Sequence, residues 1–315
     1  MSDRATIFPE ERNEQGSFAR QPDAFRGWVT ADGSSPYPAA AGRYHLYVSL
    51  ACPWAHRIVI LRKLKRLESV VGMTVVDPLR NDEDGWEFTD RPGCSPDPVN
   101  GFRFLKEAYL ATDPGFQGRV TVPVLWDKET RRIVSNSDDD LLRMFNSAFD
   151  GCGGDRTVDF YPAALRADID RLNATLYDEV NDGVYRTGFA DDQADYERHV
   201  FVLFDALDRL DARLESRRYL HGPTVTESDW RLFVTLVRFD AVYVGHFKCN
   251  LRRIADYPNL SGYLRDLYRQ VADTVNFDHI KRHYYMTHPE INPTRIVPAG
   301  PVQDLTRPHG RESLG

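Results

Sequence analysis

The stretch from Gly42 to Leu79 constrains the fold more than any other. Arg43 to Leu50, "RYHLYVSL", follows a glycine and is rich in β-branched and aromatic residues, the composition of a strand. "ACPWAHRIVILRKLKRLE" comes next, with Ile58, Leu61 and Leu64 at helical spacing, Val59 beside them and basic residues on the other face. Met73 to Leu79, "MTVVDPL", reads as a second strand, so the segment is a βαβ unit.

Cys52 stands at the join of the first strand and the helix, and Pro53 suits the helix's first turn because its missing N–H costs nothing there. A thiol at a helix N-terminus faces unpaired backbone N–H groups and the positive end of the dipole, both of which favour thiolate. His56 and Arg57 add to this if they face it. The competing reading is a small buried residue that caps the helix. The motif is Cys-Pro-Trp-Ala, with alanine where a dithiol enzyme has its second cysteine. A mixed disulfide on Cys52 must therefore be cleared by an external thiol, which points to a small-molecule thiol as cosubstrate.

Upstream, residues 1–42 are polar, with Gly and Pro clustered near their end, and read as an extended arm anchored by Phe18, Phe25 and Trp28. Downstream, residues 80–118 look irregular and long enough to serve a function. "RVTVPVLWD" and "RRIVSNS" form a hairpin interrupted by Val122-Pro123, and a helix from about Asp138 to Asn146 starts on an acid-rich cap. Gly151 to Asp155 reads as a linker. Helical periods then cover about 165–181, 192–214, 227–244 and 260–271, with Thr226 and Asp229 as a capping-box pair. The tail from His288 is too proline-rich for regular structure. The expected domains are the arm (1–42), an α/β domain (43–150) and an all-α domain (151–315).

The chain has 315 residues and a net charge of -7, which disfavours a general nucleic-acid role. Four cysteines in this length make no disulfide framework. No apolar run is long enough to span a bilayer and the N-terminus lacks a signal-peptide pattern, so the expectation is a cytoplasmic protein. His279, His283 and His288 share a segment, but their spacing matches no tight metal pattern; a helix-surface role and no bound metal are expected.

The order strand, Cys-Pro-x-Ala helix, strand, Val-Pro hairpin, acid-rich helix start and all-helical half resembles the glutathione-transferase superfold. More narrowly, "ACPWAHR", Gly85-Trp86-Glu87-Phe88, "GRVTVPVLWD", "IVSN" with "RMFN", Tyr185, "RFDAVYVGHFKCN" and "HYYMTHPEINPTRIVP" resemble the glutathionyl-hydroquinone reductases, or Xi class, over nearly the whole length. The resemblance implies a thioredoxin-like N-terminal domain on a helical C-terminal domain, a homodimer, and reductive removal of glutathione from hydroquinone conjugates. By the same resemblance Cys52 is the nucleophile, and Trp86, Arg119 and the backbone of Val122 beside a cis-proline hold glutathione. Tyr185, Tyr243 and Tyr285 line the hydroquinone pocket, with Tyr284 the alternative to Tyr285.

One departure bears on the thiol. Members that bind glutathione usually read Asn-Glu-Ser after the hairpin, where this chain has Asn136, Ser137 and Asp138, followed by Asp139 and Asp140. Ser137 and Asp138 thus take the place of the pair that grips the γ-glutamyl group. Three successive aspartates repel a carboxylate yet accept hydrogen bonds from hydroxyls or an amine. A sugar-linked thiol such as mycothiol is therefore an alternative cosubstrate, set against a plain dipole-matched helix start. A conjugating transferase and a noncatalytic thiol-binding module are the competing functions.

Overall fold

The computed structural model describes residue 11, residues 18–81 and residues 83–314. Residues 1–10 and 12–17 of the expected arm lie outside the described residues. The chain divides into two compact units, the first built mainly from residues 21–159 with 278–283, the second from 160–277 with 284–314 and the end of the arm.

In the first unit, two residue pairs, β1 (Val29–Thr30) and β2 (Tyr37–Pro38), precede the central strand β3 (Tyr44–Val48). All five residues of β3 are buried, as both faces of a central strand require. Helix α1 (Pro53–Leu64) leads to β4 (Gly72–Val75), parallel to β3. Strands β5 (Val124–Asp127) and β6 (Arg132–Ser135) complete a sheet of order β4-β3-β5-β6, antiparallel beyond β3, which is the expected thioredoxin-like arrangement. Helix α3 (Asp138–Ser147) packs on α1, and Leu46, Ile58, Leu61, Trp126, Leu141 and Phe145 form the core.

The stretch between β4 and β5 is more ordered than its sequence suggests. It contains a short helix α2 (Lys106–Thr112), and Asp97 gathers backbone N–H groups from Val99, Asn100 and Phe102 at 3.0 to 3.2 Å. Residues 151–155 fold back on α1, where Lys65 is inserted between the carboxylate of Asp150 (2.9 Å) and the carbonyl of Val158 (2.7 Å).

The second unit is helical. The period expected over 165–181 divides into α4 (Arg166–Thr175) and a wide π-turn, Leu176–Asn181, before α5 (Gly183–Gly188). The period over 227–244 likewise divides into α7 (Glu227–Arg238) and a π-turn, Phe239–Tyr243. Such turns insert one residue per turn and leave the apolar spacing almost intact, so a 3.6-residue pattern reads straight through them. The long helix α6 (Gln193–Arg213) and α8 (Leu260–Val271) match their expected spans closely. Asp229 accepts from the Thr226 N–H at 2.7 Å, as the capping pair predicts. A further helix, α9 (Phe277–Thr287), was absent from the sequence reading. Among the described residues no helix is long and apolar enough to cross a membrane.

Candidate thiol site and tyrosine cluster

Cys52 is the N-cap of α1, with extended backbone angles (φ -73, ψ 123) and Pro53 in the first turn. No side chain caps the helix there. The thiol is partly accessible and donates to the carbonyl of Val122 at 3.5 Å, on the residue whose peptide bond to Pro123 is cis. Strand-end and hairpin thus bring together a thiol, a helix N-terminus and a backbone edge. None of the four cysteines is in a disulfide. Burial pushes up the thiols of Cys94, Cys152 and Cys249, aided at Cys94 by Asp77 and at Cys152 by Asp150. Those three are poor nucleophiles at neutral pH.

The start of α3 is matched by arginines. Arg57 is fully buried and pairs with Asp138 at 2.6 Å, its guanidinium 4.4 Å from the Trp54 ring centroid. Arg26 grips Asp140 through two contacts of 2.6 and 2.8 Å. Two of the three successive aspartates are therefore matched by cations, and the premise of an unopposed acidic run fails. Ser137 is the N-cap and accepts from the Asp140 N–H at 3.5 Å. Asp23, an exposed residue, is pushed up to about 6: crowding that strips water from its carboxyl raises it first, Asp138 and Asp139 raise it further, and Ser137 and Arg26 oppose.

Trp86 is buried and stacks on His283, ring centroids 5.2 Å apart and planes 23° from parallel. His283 donates from Nδ1 to the Pro78 carbonyl at 2.7 Å, which fixes the ring. Arg119 is half-buried, its backbone N–H donating to Gln21 at 3.1 Å.

The surface role expected for the three histidines is corrected: His279 and His288 are buried, His279 bonding the Pro92 carbonyl at 3.1 Å and His288 bonding His246 at 3.0 Å. Helix α9, which carries His279 and His283 and ends just before His288, had no signal in the sequence, so its buried face could not be assigned. Among the described residues no group of three or more His, Cys, Asp or Glu could hold a metal ion.

In the second unit, Tyr185, Tyr243 and Tyr284 bring their hydroxyls together. Tyr284 Oη lies 2.5 Å from that of Tyr185 and 3.1 Å from that of Tyr243. Burial pushes Tyr243 and Tyr284 well above the usual phenol range, so both stay protonated. Tyr285 is set apart: it is half-buried and its ring meets His246 edge-on at 4.9 Å. Of the adjacent pair, Tyr284 joins the network and Tyr285 keeps accessible surface. Phe247 lies parallel to Tyr243 (5.6 Å, 11°), so close to Gly188 that a Cβ there would sit 2.2 Å from its ring; only glycine fits.

Two residues of the arm reach this cluster. Phe18 is buried against Tyr185 and Phe189, at 6.3 and 5.4 Å between centroids. The Arg20 guanidinium lies 4.5 Å from the Tyr185 ring centroid and pairs with buried Asp182 at 2.7 Å. Phe18 had been read only as an anchor, and Arg20, in a chain full of arginines, carried no sequence signal.

The thioredoxin-like unit followed by a helical unit is the fold of a glutathione transferase, and comparison with known proteins agrees. The glutathione S-transferase N-terminal domain model matches residues 51–147 and the C-terminal domain model residues 193–266. Within that class the chain belongs to the glutathionyl-hydroquinone reductase, or Xi-class, family. It is 52% identical to glutathionyl-hydroquinone reductase YqjG of Escherichia coli K12, over 96% of this chain and 94% of that protein. It is 48% identical to glutathionyl-hydroquinone reductase PcpF of Sphingobium chlorophenolicum, over 94% and 93%. The glutathione-bound structure of YqjG superposes with a TM-score of 0.90, covering 92% of this chain and 96% of that one. The Xi-class transferase of Natrialba magadii, 48% identical, gives 0.91 over 95% and 93%.

Proposed function

We propose that this chain removes glutathione reductively from hydroquinone conjugates, with Cys52 as nucleophile. The observation that carries the reading is a partly accessible thiol at a helix N-terminus, 3.5 Å from the Val122 carbonyl and outside any disulfide. The Cys52 thiolate attacks the glutathionyl sulfur; an S–S bond forms as the aryl C–S bond breaks. The electron pair goes to the ring carbon, which takes up a proton and leaves as the hydroquinone. A second glutathione thiolate then attacks the mixed disulfide, releasing oxidised glutathione and restoring Cys52. The aryl carbon is reduced while two glutathione sulfurs, the thioether sulfur of the conjugate and the thiol sulfur of the second glutathione, are oxidised, so the electrons balance.

Trp86, Arg119 and the Val122 backbone are assigned to the glutathione moiety, with Ser137 and Asp138 at its γ-glutamyl end. Glutathione is preferred over mycothiol because Asp138 and Asp140 already carry arginine partners. Tyr185 and Tyr285 are assigned to the hydroquinone: a phenol bonded to a ring oxygen promotes the tautomer that accepts the carbon proton. Tyr243 and Tyr284, buried, act through Tyr185. We further propose a homodimer of the 36.1 kDa chain, working in a reducing compartment such as the cytoplasm, where reduced glutathione is available.

Cys52→Ser tests the reading. Loss of reductase turnover by at least about 10³-fold is expected, since a nucleophile has been removed. A variant that keeps reductase activity sinks the mechanism, and one that gains conjugating activity favours the transferase alternative. Purified protein supplied with glutathione and with mycothiol decides the cosubstrate: faster clearing of the Cys52 mixed disulfide by mycothiol overturns the choice made here.

A further inference from the structure

We infer that Arg20, carried by the arm, is a positioning residue that holds the ring of Tyr185 and strengthens its hydroxyl as a hydrogen-bond donor during turnover. The inference rests on the proposed role of Tyr185 and assigns to the arm a task in the reaction.

Three observations converge on it. The guanidinium lies 4.5 Å from the Tyr185 ring centroid, within the range where a cation is attracted to an aromatic face. It is held there by Asp182, a buried carboxylate 2.7 Å from Nε, which also meets Arg186 at 3.3 Å. The backbone carbonyl of Asp182 accepts the N–H of Tyr185 at 2.9 Å, so anchor and ring belong to one helical turn. Phe18, two residues before Arg20, stacks on the same tyrosine at 25° between planes. The ring is thus fixed by an arginine and a phenylalanine from one short segment.

The chemical consequence follows from charge. A phenol that donates to a ring oxygen gains negative character as that oxygen takes up charge, and a nearby cation stabilises this shift more than it stabilises the ground state. The other titratable groups around Tyr185 act otherwise. Tyr284 on α9 and Tyr243 in the π-turn share its hydrogen-bond network, Asp182 is matched by Arg20 and Arg186, and Arg238 at the end of α7 acts on Tyr243 and Tyr284. Arg20 is the cation placed over the ring itself.

The test uses the full chain with a glutathionyl-hydroquinone as substrate and compares Arg20→Met, Arg20→Lys and Tyr185→Phe. Arg20→Met should lower kcat about ten-fold with KM for glutathione held within about two-fold, and should move the alkaline limb of kcat to higher pH. Arg20→Lys, which keeps the charge without the fork, should recover part of both. Iodoacetamide labelling of Cys52 should proceed at the parent rate in each variant, which separates the effect from damage to the thiol site. An unchanged kcat and alkaline limb in Arg20→Met, with Tyr185→Phe strongly impaired, overturns the inference and leaves the role of Tyr185 standing. A fully active Tyr185→Phe instead overturns the reading beneath it. Should Arg20→Met fold poorly, Arg20→Lys and Phe18→Leu decide: parent kcat and pH profile in both count against the inference.

Discussion

Cys52 was legible because everything that marks it is local: the end of a strand, a proline in the next position and a missing second cysteine. Tyr284 and Tyr285 were not separable for the opposite reason. Adjacent residues on a helix point about 100° apart, and which of them meets Tyr185 depends on how α9 packs, a helix the sequence reading lacked. The geometry predicts how the two differ. Tyr284 shares a 2.5 Å hydrogen bond with Tyr185, so Tyr284→Phe should cost little once Tyr185→Phe is present. The two substitutions should couple by about 1 kcal/mol or more. Tyr285→Phe should combine with Tyr185→Phe additively within about 0.5 kcal/mol. Double-mutant cycles on kcat/KM measure both terms, and equal coupling for the two pairs would remove the distinction drawn between them.

At the scale of elements, the βαβ unit, the hairpin and α3 were readable from period and punctuation, whereas the two π-turns and α2 were not. The acid-rich start of α3 shows why pairing is harder to read than position: Arg57 and Asp138 are far apart in sequence, and only the packing of α1 on α3 makes them partners. The join of β3 and β4 carries a testable pH dependence. His45 is buried between them, 2.8 Å from the Thr74 hydroxyl, and loss of hydration pushes it down to about 4, with Asp97 opposing. A folded value below the unfolded one means that the unfolded chain binds the proton first. The contribution is therefore complete above about pH 6.5 and is lost as pH falls toward 4. Between pH 7 and pH 5 the parent should lose about 2 kcal/mol from this group, and His45→Gln should lack that part of the slope. Urea unfolding at the two pH values checks it; parallel losses in parent and variant would show that His45 is not the group responsible.

At the scale of the whole molecule, the C-terminal tail shows how packing can hold a segment that forms no helix or strand. Among the described residues after His288 there is no helix or strand, as the prolines suggested, yet the tail has a defined dock. Arg311 is buried, and its guanidinium donates to the carbonyls of Leu214 (2.8 Å) and Arg218 (3.2 Å) and to that of Arg217, just beyond the C-terminus of α6. Carbonyls at that end have no partners within their own helix and lie at the negative end of its dipole, so an arginine satisfies both demands. The tail lies so close to α8 that a Cβ on Gly262 would sit 2.7 Å from the His309 carbonyl. His309 in turn accepts the Arg311 N–H at 3.1 Å through Nδ1, which leaves its other nitrogen to carry the proton toward Asp266, 3.6 Å away. Arg311→Met keeps most of the buried volume and removes every donor. It should cost about 2–4 kcal/mol and lower the unfolding temperature by several degrees. Gly262→Val should do the same by expelling the tail. Thermal unfolding of both variants is the measurement. If Arg311→Met unfolds within a degree of the parent while Gly262→Val does not, backbone fit and not the guanidinium holds the tail, and the capping account of Arg311 is wrong.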